Sequence, residues 1–100
     1  MLVAMIVKVS SLSVREWKDV LGRILGRLGY VLVSKLENGD EAILIVDSSG
    51  GNRVKTRIQK ICDIRLGTIL LPKVKVEIFG LSKEEEKLFN EIFMRCRGGC

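Results

Sequence analysis

The sequence NRVKTRIQKICDIRL, residues 52–66, decides which fold this chain adopts, because it fits two secondary structures. Asn52 can cap a helix, and apolar residues then recur at helical spacing ahead of a terminating glycine: Val54, Ile58, Ile61, Cys62 and Gly67. Residues of the same stretch also alternate as they would in a strand: Val54, Thr56, Ile58, Cys62, Ile64 and Leu66. The neighbouring elements must therefore be used to choose between helix and strand.

The chain before this stretch begins with a strand and a helix. Residues 2–9 are rich in Val, Ile and Met without a helical stripe, which predicts a strand with two apolar faces. Ser13 with Glu16 three residues later forms a capping box, the usual start of a helix. Gly29 follows the last apolar position of this helix and predicts its end.

Three further strands and a second capped helix complete the pattern. Residues 30–36 and 41–47 are β-rich and are separated by Asn38-Gly39, a strong hairpin signal because both residues tolerate positive φ. Residues 68–79 alternate as a strand, in which Pro72 predicts an edge position or a bulge. A helix then begins at a second capping box, and its apolar stripe predicts packing on the sheet. The box and stripe are Ser82, Glu85, Leu88, Phe89, Ile92, Phe93 and Cys96.

These elements predict an α+β protein. A helix over 52–66 gives the order βαββαβ, whereas a strand gives a long meander with its helices before and after it. We favour the helix because the first order is consistent along the whole chain. The prediction is a ferredoxin-like βαββαβ open-faced sandwich with an additional C-terminal helix. The length of 100 residues suits a single domain over 1–100.

The composition excludes several classes of protein. Hydrophobic residues make up 47% of the chain, which excludes intrinsic disorder and suggests that a partner covers some apolar surface. Histidine is absent, so no Ser/His/Asp or Cys/His triad and no HExxH zinc site can form. We find no other catalytic constellation. Whether the chain belongs to an enzyme is left open, and a non-catalytic subunit is favoured.

The net charge of +5 is concentrated in one quarter of the chain. Residues 51–75 contain a single acidic residue, Asp63, among seven basic ones. Such a cluster predicts a surface for a polyanion, with an ordinary solvated helix face as the alternative. The predicted binding residues are Arg53, Lys55, Arg57, Lys60, Arg65, Lys73 and Lys75.

The cysteines and the first residues bear on the compartment. Cys62, Cys96 and Cys100 form an odd set, which favours a reducing cytoplasm. The spacing of Cys96 and Cys100 is unlike a zinc ribbon, and whether these two pair is left open. The apolar run 2–7 is interrupted by Lys8, so we expect neither a signal peptide nor a membrane partner.

Several segments resemble the small ferredoxin-like protein subunit of archaeal and eukaryotic ribonuclease P, the Pop-five family. MIVKV (5–9) followed by SVREWKDVLGRILGRLG (13–29) is similar to the opening strand and long helix of that family. EAILIVD (41–47) followed by NRVKTRIQKICDI (52–64) resembles its third strand and second helix. VKVEIFGLSKEEEKLF (74–89) resembles its closing strand, turn and terminal helix.

The resemblance implies an RNA-binding subunit of a ribonucleoprotein, which supports cleavage of the 5′ leader from precursor tRNA. In that family the RNA and its Mg²⁺ ions perform the hydrolysis, so we expect no cofactor on this chain. The implied partners are a structured RNA and at least one other protein subunit, with self-association. The alternatives are a basic ferredoxin-like DNA-binding or ribosome-associated module and a dimeric small-molecule regulatory domain.

Overall fold

A computed structural model of the protein describes residues 5–97, which form five strands and two helices. In chain order they are β1 Met5–Ser10, α1 Val14–Arg27, β2 Tyr30–Asn38, β3 Glu41–Ser48, β4 Arg53–Leu66, β5 Ile69–Phe79 and α2 Lys83–Arg97. The predicted first strand is confirmed from Met5 onward, and residues 2–4 lie outside the described residues.

The five strands form one antiparallel sheet in the order β1-β5-β4-β3-β2. The α+β class and the terminal helix are confirmed, but the helix predicted over 52–66 is wrong. That stretch is β4, so the order of elements is βαββββα instead of the predicted βαββαβ followed by a terminal helix. The strand is favoured because it pairs with β3 and β5 while Val54, Thr56 and Ile58 alternate into the core with no exposed surface.

Local sequence signals set the ends of both helices. At α1, the Ser13 amide donates to Glu16 Oε1 (3.2 Å) and the Glu16 amide donates to Ser13 Oγ (3.1 Å). The same reciprocal bonds join Ser82 and Glu85 at the start of α2, at 3.1 and 3.2 Å. Each box satisfies two amides that have no partner within the helix. Both predicted capping boxes are confirmed, as is the end of α1 before Gly29, whose φ is +90°.

The predicted turn and edge features of the sheet are also confirmed. Strands β2 and β3 form a hairpin around Gly39, which has a φ of +49°, and β2 extends two residues further than predicted. Pro72 lies in the part of β5 that pairs with β4 alone, because the pairing of β1 with β5 ends at Ser10 and Val74. The proline therefore occupies a stretch with one free edge.

Both helices pack on the same face of the sheet. Trp17 of α1 is fully buried and stacks on Phe93 of α2 with ring centroids 5.2 Å apart. The indole Nε1 of Trp17 donates to Ser10 Oγ (2.9 Å), which ties α1 to the end of β1. The side chain of Lys8 in β1 extends toward α2 and places its Nζ over the Phe93 ring, 4.9 Å from the ring centre. No described element covers the opposite side of the sheet, which we call the open face.

Gly80, between β5 and α2, is required by the backbone. Its φ is +106°, and a Cβ there would lie 2.5 Å from the carbonyl oxygen of Arg53. We expect Gly80→Ala to destabilise the protein by about 1–3 kcal/mol, measured by urea unfolding. Gly22→Ala is the matched control, because a Cβ at this helical position meets nothing within 4 Å. It should stabilise by about 0.5–1 kcal/mol, and equal effects of the two changes would contradict the account.

Candidate nucleic-acid interface

The open face collects five of the seven predicted basic residues. Arg53, Lys55 and Arg57 occupy alternate positions of β4 and therefore share one face of the sheet. The register places Lys75 opposite Gln59 and Lys73 opposite Cys62, on that same face. Same-face neighbours lie about 6.6 Å apart along a strand and adjacent strands lie about 4.8 Å apart, so these cations form one strip. We call Arg53, Lys55, Arg57, Lys73 and Lys75 the basic strip.

Lys60 and Arg65 do not belong to the basic strip. Lys60 pairs with Val74 and Arg65 pairs with Leu70, which places both on the helix side of the sheet. Lys60 falls on that side because it continues the alternation of Thr56 and Ile58, whereas Arg65 is moved there by a bulge between Lys60 and Cys62, where Ile61 is the extra residue. Lys60 Nζ instead contacts Asp63 Oδ1 (3.0 Å), a bond that raises the pKa of the lysine.

The two arginines of the basic strip are paired with carboxylates of β3. Arg53 binds Asp47 through Nε to Oδ1 (2.8 Å) and Nη2 to Oδ2 (3.1 Å), and this contact lowers the pKa of Asp47. Arg57 donates from Nε (3.0 Å) and Nη2 (2.8 Å) to Glu41 Oε2, which raises the pKa of the arginine. Both pairs are solvent-accessible, and such pairs contribute little to stability. A phosphate can therefore replace the carboxylate at small cost.

The three lysines of the basic strip are electrostatically available. Lys55, Lys73 and Lys75 make no ion pair with any residue in 5–97. Glu77, which is opposite Arg57 on the same face, is the third carboxylate of the open face after Asp47 and Glu41. The open face thus carries five cations and three carboxylates. It is basic, but its net charge is smaller than that of residues 51–75 in the sequence.

The carboxylates Asp47 and Glu41 are functional neighbours that the sequence reasoning missed. Asp47 lies directly opposite Arg53 across the β3–β4 pair, and Glu41 lies opposite Gln59, the next open-face position after Arg57. The sequence did contain a signal for the first pair: if 52–66 is a strand, Arg53 follows Asp47, the end of the predicted strand 41–47, by six residues, a spacing that allows the two strands to pair as a hairpin. The prediction of a helix over 52–66 excluded pairing of this stretch with strand 41–47.

The apolar part of the open face is aliphatic. Val7 and Val9 of β1 are 45% and 52% exposed, and Ile43 and Ile45 of β3 are half-buried beside the arginines. Phe79 is the aromatic residue that the described strands place on this face. One ring provides no stacking platform for successive bases. The chemistry of the face suits the sugar-phosphate backbone of a nucleic acid, with aliphatic side chains at its margins.

A polar network fixes the loop that leads into β4. The Tyr30 hydroxyl donates to Glu85 Oε2 (2.6 Å) and accepts from Asn52 Nδ2 (2.7 Å), which also donates to the Gly80 carbonyl (3.1 Å). Burial acts to raise the pKa of Glu85, but the hydrogen bonds from Tyr30 and Ser82 outweigh it and lower that pKa. The network joins β2, the start of β4 and α2, and so positions Arg53 on the open face.

The lowered pKa of Glu85 predicts a pH-dependent effect of Tyr30→Phe. A carboxyl with a lowered folded pKa stabilises the protein above its unfolded pKa and loses this contribution as pH falls through its folded pKa. Removing the hydroxyl should cost about 1–2 kcal/mol at neutral pH. The difference from wild type should shrink as the pH falls below the ordinary pKa of a glutamate, about 4.3, and through the lower pKa that Glu85 has in the folded protein. Urea unfolding at several pH values measures it, and a difference independent of pH would contradict this role of Glu85.

Two grooves lie on the helix side of the sheet, away from the basic strip. The larger, of about 620 Å³, runs between β1 and α1 and is lined by Lys8, Trp17 and Phe93. The smaller, of about 430 Å³, lies between α1 and the β2–β3 hairpin, with Gly22 and Gly26 on its wall. Both volumes fall in the range of ligand pockets, and neither groove contains a residue of the basic strip.

Metal and thiol chemistry is limited in the part of the chain that the structure describes. Residues 5–97 contain no group of three or more His, Cys, Asp or Glu side chains placed to hold a metal ion. Cys62 is a free, exposed thiol. The open question of Cys96 and Cys100 pairing lies outside the described residues, because Cys100 and the side chain of Cys96 are not among them. Neither of the described helices has the length and apolar character needed to cross a bilayer.

The structure defines the chain as an α+β protein with two helices on one face of an antiparallel sheet and a lysine-rich surface on the other. Comparison with known proteins assigns no family: no family model, no curated protein and no solved structure matches it. A function for the chain is therefore inferred from the geometry of the open face and from the resemblance of several segments to the Pop-five family.

Proposed function

We propose that the protein is an RNA-binding subunit of a ribonucleoprotein and that its basic strip binds RNA phosphates. The observation that supports this most strongly is that Lys55, Lys73 and Lys75 share a face that no described helix covers, where none of them has a carboxylate partner within residues 5–97. Unpaired lysines on an open sheet attract a polyanion and release its counterions on binding.

The chain acts by positioning and by charge, not by catalysis. Cations near the phosphates screen repulsion within a folded RNA and allow it to hold its structure at lower Mg²⁺. Arg53 and Arg57 add bidentate donors once a phosphate displaces Asp47 or Glu41. The Mg²⁺ ions belong to the RNA, which performs any hydrolysis.

The proposed assembly is ribonuclease P, in which the RNA removes the 5′ leader of precursor tRNA. Support for this part comes from the resemblance over 5–9, 13–29, 41–47 and 74–89. Residues 52–64 do not contribute to it, since they form β4 and not a helix. We place the assembly in the cytoplasm, a reducing compartment that suits the exposed thiol of Cys62. A second protein subunit would cover Val7 and Val9 at the β1 edge.

A pull-down of the tagged full chain from its native cell, followed by sequencing of the bound RNA, tests the proposal. We expect the RNA of ribonuclease P, together with precursor tRNA, to be enriched over a tagged variant with Lys55, Lys73 and Lys75 changed to Glu. Enrichment of ribosomal RNA or of DNA instead would contradict the ribonuclease P assignment and favour a ribosome-associated or DNA-binding module. Equal recovery with both proteins would contradict the role of the basic strip.

A further inference from the structure

The far end of the β4–β5 hairpin extends beyond the rest of the sheet. The pairing of β3 with β4 ends at Gln59, and the pairing of β1 with β5 ends at Val74. Residues 61–73, which we call the arm, are therefore two strands that pair only with each other among the described residues. Both edges of the arm expose backbone groups, and the molecule reaches 48 Å along its longest axis.

The arm exposes large apolar side chains. On the open-face side the register places Ile64 opposite Leu71 and Leu66 opposite Ile69, and Ile64, Leu66 and Ile69 are 43%, 58% and 60% exposed. An isolated two-stranded hairpin is at best marginally stable in water, and a contiguous exposed apolar patch usually marks an interaction site. These properties indicate that a partner covers the arm.

The chemistry of the arm favours a protein partner. Lipid is disfavoured, because the unpaired backbone edges would enter hydrocarbon without hydrogen-bond partners. The apolar rows contain only aliphatic side chains, which do not stack on bases. An extended edge with free amides and carbonyls is suited to pairing with another strand.

Charge complementarity indicates that the strand pairing with the free edge of β4 is β4 of a second copy of this chain. If two β4 strands pair antiparallel around a two-fold axis at Ile64, Asp63 of each copy lies opposite Arg65 of the other. Asp63 and Arg65 share the helix side of the sheet, and their β5 neighbours, Pro72 and Leu70, provide no counter-charge. Arg65 makes no ion pair with any residue in 5–97, whereas Asp63 contacts Lys60 Nζ of its own chain (3.0 Å), so in this register its carboxylate lies between Lys60 and the other copy's Arg65. The same register places Cys62 opposite Leu66 on the open-face side. Every cross-copy pair is thus apolar or of opposite charge.

The free length of the β4 edge fits this register. The Lys60 amide already donates to the Asp40 carbonyl (2.8 Å), so the free edge begins after Lys60. It ends at Gly67, whose φ of +64° turns the chain into β5. Residues 62–66 lie between these limits, and the antiparallel pairing uses them symmetrically around Ile64.

We propose that two copies of this chain form a two-fold symmetric dimer by antiparallel pairing of residues 62–66 of β4. Residues paired across antiparallel strands point to the same side of a sheet, so the two-fold axis is perpendicular to the sheet. Both basic strips then face the same side of one continuous sheet. The dimer does not depend on RNA, although it would present both strips to a single RNA.

Sedimentation equilibrium of the full chain without nucleic acid, over a wide range of concentration, tests the dimer. We expect the mass to rise with concentration from 11.2 kDa to twice that value. Asp63→Arg and Arg65→Asp each replace two symmetric attractive pairs by two repulsive ones and should raise the dimer dissociation constant roughly tenfold or more. The double variant D63R/R65D restores opposite charges and should recover most of the wild-type affinity.

Asp19→Arg is the matched control, because this exposed residue lies on α1 and should leave the dissociation constant unchanged. Circular dichroism melting shows whether each variant is folded. We expect all of them to be folded, because the arm lies outside the core. A wild-type mass of 11.2 kDa at every concentration would overturn the dimer. Single variants that still dimerise, or a double variant as weak as the single ones, would overturn this pairing. None of these results depends on whether the protein binds RNA.

Discussion

Reversing Lys55, Lys73 and Lys75 to Glu together is expected to weaken binding to a fluorescently labelled precursor tRNA by roughly a hundredfold at low salt. The three lysines lie on the open face of the paired strands β4 and β5 without a carboxylate partner in the described residues, so their charge is available to phosphates. Reversal leaves Arg53 and Arg57 beside additional carboxylates. The slope of log affinity against log salt should also fall, by about one for each lost phosphate contact.

The control for this experiment changes the same amount of charge elsewhere. Lys83, Lys87 and Arg95 are exposed on α2, on the other side of the sheet, and reversing all three to Glu should leave RNA affinity within a few fold of wild type. Thermal melting of both triple variants checks that they are folded. Equal losses in the two variants would mean that net charge, and not the basic strip, determines binding.

Trp17→Ala is expected to produce the largest loss of stability of any single change, about 3–5 kcal/mol in urea unfolding. The indole is fully buried, stacks on Phe93 at 5.2 Å and donates a hydrogen bond to Ser10. Its removal leaves a cavity where α1, α2 and β1 meet. Native domains are stable by only about 5–15 kcal/mol, so this variant should be close to unfolding at room temperature.

One further variant separates the contributions of the Trp17 side chain, and a second, at Met94, is the control. Trp17→Phe retains an aromatic ring against Phe93 but loses the bond to Ser10 Oγ, and we expect a cost of about 1–2 kcal/mol. Met94→Ala truncates a side chain that is 65% exposed on α2 and should change stability by less than about 0.5 kcal/mol. A Trp17→Ala variant no less stable than Met94→Ala would contradict the packing of both helices on one face.

Short-range signals in the sequence were sufficient to place most elements. The capping boxes at Ser13 and Ser82 and the turn at Asn38-Gly39 depend on residues within a few positions of one another, and all three occur as predicted. Such motifs satisfy their own backbone groups and require no knowledge of the remaining chain. Six elements were consequently assigned correctly on either side of 52–66, apart from residues 2–4, which the structure does not describe.

Residues 52–66 were assigned incorrectly because a bulge interrupts their alternation. Val54, Thr56 and Ile58 follow the period of a strand, but Lys60 and the extra residue Ile61 break this pattern. Ile58, Ile61 and Cys62 then lie at spacings that also suit a helix. The arm adds to the ambiguity. Its apolar residues are exposed, so their spacing does not indicate which side of the strand is buried in the core. Agreement with a familiar order of elements then favoured the wrong alternative.

The composition of the candidate site was predictable, but its arrangement was not. All seven basic residues were identified from charge alone, yet only the strand register shows that Lys60 and Arg65 face the helices. The ion pairs of Arg53 and Arg57 with Asp47 and Glu41 depend on the same register. Pairing between distant strands is a long-range property that one sequence does not determine.

The central claim is that the basic strip binds RNA through its phosphates, and a salt titration of precursor tRNA binding by the wild-type chain tests it most directly. With about four phosphate contacts, the affinity should fall roughly a hundredfold between 50 and 200 mM salt. An affinity that stays constant over this range would contradict the claim, because binding through phosphates must release counterions.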